Sequence, residues 1–297
     1  MKIRKSAAAL IAAVILSASA CSGSSGFKPI SGFSDETNIR IEKFLKDTAT
    51  EKGRKVAVFD GDGTVFGQAP HYLADECMYD IALKNPAQNP HVIKEIVKHS
   101  NVSLPYVQMR VHFFKGVTAE SLRDAGDRCF RELYSDKIYP QMKQLTALLK
   151  NNGFEVWIVT ASPELMYQRF LSRELGIPAT NIVGVKSVIH GGVITDEIVK
   201  PVPQDHGKKE AIETFVQEVP LFSGGNSRGD KEMIEYSRGI RMIINPDEFT
   251  APDQKESIAE YARRNGWLIE RIKDVPSKGF PSVTSNIFKV KTNKSNE

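Results

Sequence analysis

Two aspartates one residue apart, Asp60 and Asp62, stand in the run Asp60-Gly61-Asp62-Gly63-Thr64, directly after the apolar residues Val56, Ala57, Val58 and Phe59. Carboxylates at the end of a buried strand are costly unless a cation or a polar substrate meets them. A polar turn is the plainer alternative, since Asp and Gly are turn residues. Three later segments bear on the choice. Thr160-Ala161-Ser162-Pro163 brings two hydroxyls to the end of a second apolar run. Ser162 followed by proline suits a helix N-cap with Pro at the first helical position, and that is the role expected for it. Lys208 and Lys209 sit just inside a helix start, where a cation is mildly unfavourable against the macrodipole. A nearby anion would explain one of them; a solvated lysine pair is the alternative. Finally, Ser223-Gly224-Gly225-Asn226-Ser227-Arg228-Gly229-Asp230 adds a carboxylate and an amide oxygen, hard donors of the kind magnesium prefers.

The elements that must position these residues are legible in the hydrophobic pattern. Short apolar runs at 56–59, 154–159, 219–222 and 242–244 suit strands buried on both faces, each closed by a polar or glycine-rich turn. Residues 182–199 read as a strand pair turning at His190-Gly191-Gly192. Helices are expected at 142–150 and 253–264, with a last strand at 267–269. Between the first two motifs, residues 70–139 repeat apolar positions at helical spacing: Leu73, Cys77, Ile81; Val107, Val111, Phe114; Leu122, Ala125, Cys129, Leu133. Ligands of open α/β sheets bind beyond the carboxyl ends of the strands, where the motifs fall.

An apolar strand followed by Asp-x-Asp-Gly-Thr resembles the first motif of the haloacid dehalogenase superfamily, most of whose members are magnesium-dependent phosphatases. Thr160 resembles the second motif, Lys208 the third, and the loop from Gly225 to Asp230, with Met233 three residues beyond, the fourth. Each motif alone is weak; four in the required order are specific, and they cover residues 55–246. The resemblance implies a doubly wound, Rossmann-like α/β core with an inserted α-helical cap. It implies Asp60 as nucleophile and Asp62 as general acid and base, with Thr160 and Lys208 holding phosphoryl oxygens. Mg2+ would be held by Asp60, Asp62, Asn226 and Asp230. Asn226 is a departure, since the phosphatases usually keep aspartate there. The second aspartate, Asp62, points to phosphoryl transfer rather than dehalogenation, which has no alcohol leaving group to protonate. The substrate expected is a small phosphomonoester. Phosphoserine phosphatases carry a glutamate nine residues after the nucleophile, where this chain has Ala69, with Glu76 a substitute. Tyr72, Tyr79 and Tyr106 could form an aromatic site for a cationic substrate such as phosphorylcholine. Two alternatives stay open: a catalytically silent scaffold used for binding, and phosphotransfer to an acceptor other than water.

The first residues carry Lys2, Arg4 and Lys5, then a ten-residue apolar run over 7–16 and small residues up to Ala20. That pattern reads as a secretory signal, the run being short for a membrane span. Cys21 behind it resembles a bacterial lipobox, which implies a lipid anchor to the membrane on the periplasmic side of the cell envelope. The segments expected are a signal at 1–20, a tether and lead-in helix at 21–50, core at 51–68 and 138–272, cap at 69–137, and a polar tail at 273–297. The chain holds 40 basic and 36 acidic residues. Without the three basic residues of the signal the balance is 37 against 36, which argues against a nucleic-acid partner. Cys77 and Cys129 could pair in an oxidising compartment or act as small core hydrophobes. No zinc-like Cys/His spacing is present.

Overall fold

The computed structural model describes residues 27–277 and 279–293. The signal, Cys21 and residues 294–297 lie outside the described residues. After helix α1 (Asp35–Asp47), strand β1 (Lys55–Phe59) enters the middle of a seven-stranded sheet. Four helices follow, α2 (Leu73–Lys84), α3 (Pro90–Ile96), α4 (Leu104–His112) and α5 (Ala119–Cys129). The chain returns through α6 (Pro140–Asn151) to β2 (Phe154–Pro163), α7 (Glu164–Leu175) and the hairpin β3 (Ile182–His190) and β4 (Val193–Val199). Then come α8 (His206–Ala211), β5 (Phe222–Gly225), α9 (Lys231–Glu235), β6 (Ile240–Ile244), α10 (Ile258–Arg264), β7 (Leu268–Glu270) and a short α11 (Val283–Asn286).

The strand order is β4-β3-β2-β1-β5-β6-β7, parallel throughout except for β4. The side chains of β1 show why it must be central. Ala57 and Phe59 face one cluster with Phe154, Phe222 and Met242, while Val56 and Val58 face another with Ala211, Ile212 and Met233. A strand that is apolar on both faces requires cover on both, which is the doubly wound arrangement the sequence implied.

The helices α2 to α5 form the inserted cap. Its two connections to the core lie side by side: Gly67 N donates to Lys137 O at 2.9 Å, and Phe66 bridges Ile138. A buried ion pair clamps both. The Asp274 carboxylate accepts from Gln68 N (2.7 Å), Ala69 N (3.0 Å) and Lys137 Nζ (3.0 Å). The cap closes on the core where α5 meets α7, and Gly126 makes that approach possible: a Cβ there would lie 1.9 Å from the Met166 carbonyl oxygen. Of the stretch 273–297, read as a polar tail, residues 279–293 run across the cap instead. Phe288 stacks on Tyr79 with ring centroids 4.6 Å apart, and Phe280 meets Tyr134 edge-on.

Cys77 and Cys129 are buried and unbridged. No helix among the described residues is long and apolar enough to cross a membrane.

Candidate active site

The carboxyl ends of β1, β2 and β5 meet at one corner. Asp60 N donates to the Gly224 carbonyl at 3.0 Å, continuing the ladder one residue past β1. The chain then folds back on itself through Val65 N to Gly61 O (2.9 Å) and Gly63 N to Phe66 O (2.8 Å). Gly63 has a φ of +75°, and a Cβ on it would lie 2.2 Å from the Asn226 amide nitrogen, so glycine is required by both conformation and space. The tight turn turns the two aspartate side chains into different surroundings.

Asp60 Oδ1 accepts from Lys208 Nζ at 2.7 Å, and the same ammonium reaches Asp230 Oδ1 at 2.5 Å. Asp230 Oδ2 in turn accepts from the backbone N–H groups of Asn226 and Ser227 and from the Ser227 hydroxyl, each at 3.0 Å. Of the two candidate lysines, Lys208 is therefore the one in the site; Lys209 lies at the surface against Glu213. Burial works against the Lys208 charge, yet Asp230 and Asp60 outweigh it and hold the ammonium above its ordinary range. Burial also pushes Asp60 up to about 7, with Lys208 opposing.

Asp62 points the other way. Its Oδ2 accepts from Ser162 Oγ at 2.9 Å and its Oδ1 from the Tyr167 hydroxyl at 2.8 Å. Burial raises its pKa despite both hydrogen bonds, the direction a proton donor needs. Ser162 is thus not the N-cap expected of it. Strand β2 runs on through Pro163, which takes the N-cap position of α7 without a side-chain bond, and frees the serine for Asp62. Thr160 is buried beside the turn; a Cβ on Gly61 would lie 3.4 Å from its hydroxyl oxygen.

The end of the Asn226 amide lies 3.2 Å from each of Asp60 Oδ2, the Asp62 carbonyl oxygen and Asp230 Oδ2. Turned one way, its NH2 faces these three acceptors, two of which its two N–H groups can satisfy, and its oxygen accepts from Gln68 Nε2 at 3.3 Å. Turned the other way, its oxygen lies 3.2 Å from each of three other oxygens, a repulsion that a cation among them would relieve. Oxygen separations of ~3 Å are what an octahedral shell of magnesium requires. The residues therefore fit the cation implied by the motifs, and only Asp62's carbonyl, not its carboxylate, faces that corner. No cluster of three or more His, Cys, Asp or Glu side chains marks a metal site among the described residues; here an amide and a backbone carbonyl complete the donor set.

A cavity of about 400 Å³ opens over this corner, lined by Asp60, Asp62, Thr160, Ser162, Lys208 and Asn226 below and by Tyr72, Asn101 and Arg110 of the cap above. Arg110 and Asp75 escaped the sequence reading. Both are buried, with Arg110 Nη1 3.4 Å from Asp75 Oδ1. Neither Asp75 oxygen, nor Arg110 Nε or Nη1, has a hydrogen-bond partner among the described residues. The only signal in the sequence was a charge beside an apolar stripe, Arg110 next to Val107 and Val111. Arg110 also corrects the reading of the tyrosines. Its guanidinium stands 5.7 Å from the Tyr72 ring centroid and 5.4 Å from that of Tyr106, and Tyr79 is turned to hydrogen-bond Tyr106 at 3.0 Å. The aromatic faces already hold a cation of the chain's own. Glu76 is likewise engaged: it accepts from Val283 N and Thr284 N (3.2 Å for the latter) at the start of α11.

Residues 57–235 match the family described as haloacid dehalogenase-like hydrolase. Among curated proteins, a hydrolase of Mycobacterium leprae is 26% identical over 162 residues, 53% of this chain and 50% of that one. A phosphoserine phosphatase of Mycobacterium tuberculosis is 25% identical over the same length, 53% of this chain and 49% of its own. The chain thus spans about half the length of the curated relatives it matches. Its fold is similar to that of a protein of unknown function from Anaerococcus prevotii (TM-score 0.61, 14% identity, 82% of this chain and 92% of that one). It is also similar to one from Bordetella pertussis (0.58, 16%, 74% and 99%). The family match over most of the chain joins the paired aspartates, the buried lysine and the sheet order described above: this chain belongs to the haloacid dehalogenase-like hydrolase family.

Proposed function

We propose that this protein is a magnesium-dependent phosphomonoesterase of the cell envelope, tethered through a lipid on Cys21. The observation that carries the reading is the placement of Asp60: one oxygen on the buried Lys208 ammonium, the other in the oxygen-lined corner. A phosphomonoester dianion repels a carboxylate, so attack requires positive charge on both sides of the meeting point. Lys208 supplies part of it. A cation held by Asp60, the Asp62 carbonyl, Asn226 and Asp230 would supply the rest by neutralising phosphoryl oxygens. Asp60 attacks phosphorus and carries the phosphoryl group as an acyl phosphate. Asp62 gives its proton to the departing alcohol and then takes one from the water that releases phosphate. Thr160 and Lys208 hold the phosphoryl oxygens.

The cap refines the substrate class. Arg110 lines the cavity and covers the Tyr72 and Tyr106 faces with its guanidinium. A quaternary ammonium such as that of phosphorylcholine is thereby disfavoured, and a phosphomonoester with a second anionic group, a carboxylate for example, is favoured. The name of the Mycobacterium tuberculosis relative supports a phosphomonoester of this size.

The test is phosphate release by the full chain in detergent from p-nitrophenyl phosphate, carboxylate-bearing phosphomonoesters including O-phosphoserine, and phosphorylcholine. Each is run with Mg2+, with chelator and with added alcohols. Turnover that needs Mg2+ and prefers the carboxylate-bearing esters is expected. No turnover by folded protein would favour the silent scaffold; product alcohol esters in place of phosphate would favour phosphotransfer.

A further inference from the structure

Tyr167 lies on the first turn of α7 and is fully buried, with its ring against Phe66 and Phe170 at centroid distances of 5.9 and 5.2 Å. Its hydroxyl makes two hydrogen bonds. It donates to Asp62 Oδ1 at 2.8 Å and accepts from Ala74 N at 3.2 Å. Ala74 is the second residue of α2, the first cap helix, and Tyr72 at the N-cap position makes no side-chain bond to the free N–H groups there. The tyrosine oxygen therefore serves as acceptor for a helix start that its own sequence leaves uncapped.

A phenol has one proton. If it turned away from Asp62, the carboxylate would lose its donor, and the Ala74 N–H fixes where the oxygen lone pair must point. The Tyr167 proton is thus held on Asp62 Oδ1. Ser162, on the other oxygen, has a freely turning hydroxyl and lines the cavity. So Oδ1 is anchored in the interior and Oδ2 is the oxygen turned toward substrate.

We infer that Tyr167 is the positioning residue for proton transfer by Asp62, fixing Oδ1 so that Oδ2 faces the leaving oxygen, and tying that aim to the seat of the cap through Ala74. The inference rests on the phosphomonoesterase reading. In the first step the bond from phosphorus to the ester oxygen breaks, the bond from Asp60 to phosphorus forms, and the proton on Asp62 Oδ2 passes to the departing oxygen. In the second, water attacks phosphorus, its proton goes to Asp62 Oδ2, and Asp60 leaves. Tyr167 keeps its proton through both steps, while the Ser162 hydroxyl turns to follow the charge on Oδ2.

The test is Tyr167→Phe in the full chain, which keeps the ring and removes the donor, with thermal melting as a check on folding. For p-nitrophenyl phosphate, whose leaving group departs without a proton, kcat/KM should fall by no more than about threefold. For alkyl phosphates it should fall by roughly 100-fold, the scale of general-acid assistance. In an Asp62→Asn background the extra loss on alkyl esters should vanish, because the two residues act as a unit. Equal losses on both ester classes, or an undiminished selective loss without Asp62, would overturn the inference and leave the phosphatase reading standing. No turnover of any ester by the wild-type chain would overturn both. Should Tyr167→Phe not fold, Ser162→Ala reads the arrangement from the other oxygen. Losses on the two ester classes within about threefold of each other are expected, since Oδ1 stays anchored. A selective loss on alkyl esters of ~30-fold or more would assign the aiming to Ser162 instead.

Discussion

The two halves of the site are built on opposite principles. On the core side the carboxylate oxygens of Asp60, Asp62 and Asp230 are matched by the Lys208 ammonium, three hydroxyls, backbone N–H groups and the Asn226 amide. On the cap side Asp75 and Arg110 are equally buried but touch only at 3.4 Å, with four of their polar atoms lacking any hydrogen-bond partner among the described residues. A satisfied network holds its geometry before substrate arrives, which is what electrostatic catalysis requires. A buried charged pair that is poorly matched by hydrogen bonds costs stability. On the proposed phosphomonoesterase reading, the contrast gives reaction type to the core and selectivity to the cap.

The sharpest way to break that division is at the nucleophile. Asp60→Asn keeps the size of the side chain and its place beside Lys208, so the fold should persist. Turnover should fall by ~10⁴-fold or more on every ester, with no selectivity among them. Appreciable activity measured by phosphate release would remove Asp60 from its role. The cap counterpart is Arg110→Leu. Here kcat/KM for carboxylate-bearing esters should fall by roughly 100-fold and that for p-nitrophenyl phosphate by far less, because a buried charge-assisted hydrogen bond is lost only with the former. Equal losses would mean that Arg110 supports the site without reading the substrate. Because this change strands the Asp75 carboxylate, Arg110→Leu should melt lower than the double variant with Asp75→Asn, and melting curves check that order.

Asn226 tests how complete the core network is. As an amide it can offer either NH2 or oxygen to the corner formed by Asp60, Asp62 and Asp230. Asn226→Asp removes the first option and adds a charge. Magnesium affinity, measured by calorimetry, should rise by about tenfold, and in chelator the variant should melt below the wild type, since four acceptors then face one another. Unchanged affinity together with an unchanged melting temperature would exclude Asn226 from the corner.

What the sequence disclosed follows the same line. Asp60, Asp62, Thr160, Lys208, Asn226 and Asp230 each lie at the end of a buried strand or the start of a helix, where local pattern and topology together decide direction, and the structure brings them to one corner. The hairpin turning at His190-Gly191-Gly192 follows from the local pattern, whereas the strand order is decided by how distant strands pair. The residues that were misjudged depend on distant packing. Ser162 obeys a local capping rule on paper, but Asp62, a hundred residues earlier, takes its hydroxyl. Glu76 looked available until α11, some two hundred residues later, supplied its N–H groups. The cation over Tyr72 and Tyr106 is Arg110, and its place there depends on how α2 and α4 face each other.

The smallest effect sharpens the comparison through pH. His71, which leads into α2, is a further unsatisfied group beside the cap. It is fully buried, both ring nitrogens lack partners among the described residues, and burial lowers its pKa from 6.5 to about 4. Below pH 6.5 the unfolded chain binds a proton there and the folded chain does not, so stability contributed by the neutral ring is full above 6.5 and lost as pH falls toward 4. The carboxylates Asp62 and Asp75 are raised by burial and act in the opposite direction over the acid range, so the wild-type curve alone does not isolate the histidine. The difference between wild type and His71→Leu does. Their melting temperatures should run parallel above pH 7, and the wild type should lose stability relative to the variant as pH falls from 6.5 to 4, by an amount worth about 1–3 kcal/mol. Curves parallel over the whole range would mean that His71 is protonated without cost in the folded state. The cap would then be better solvated than its unpartnered atoms indicate, and the contrast with the core correspondingly weaker.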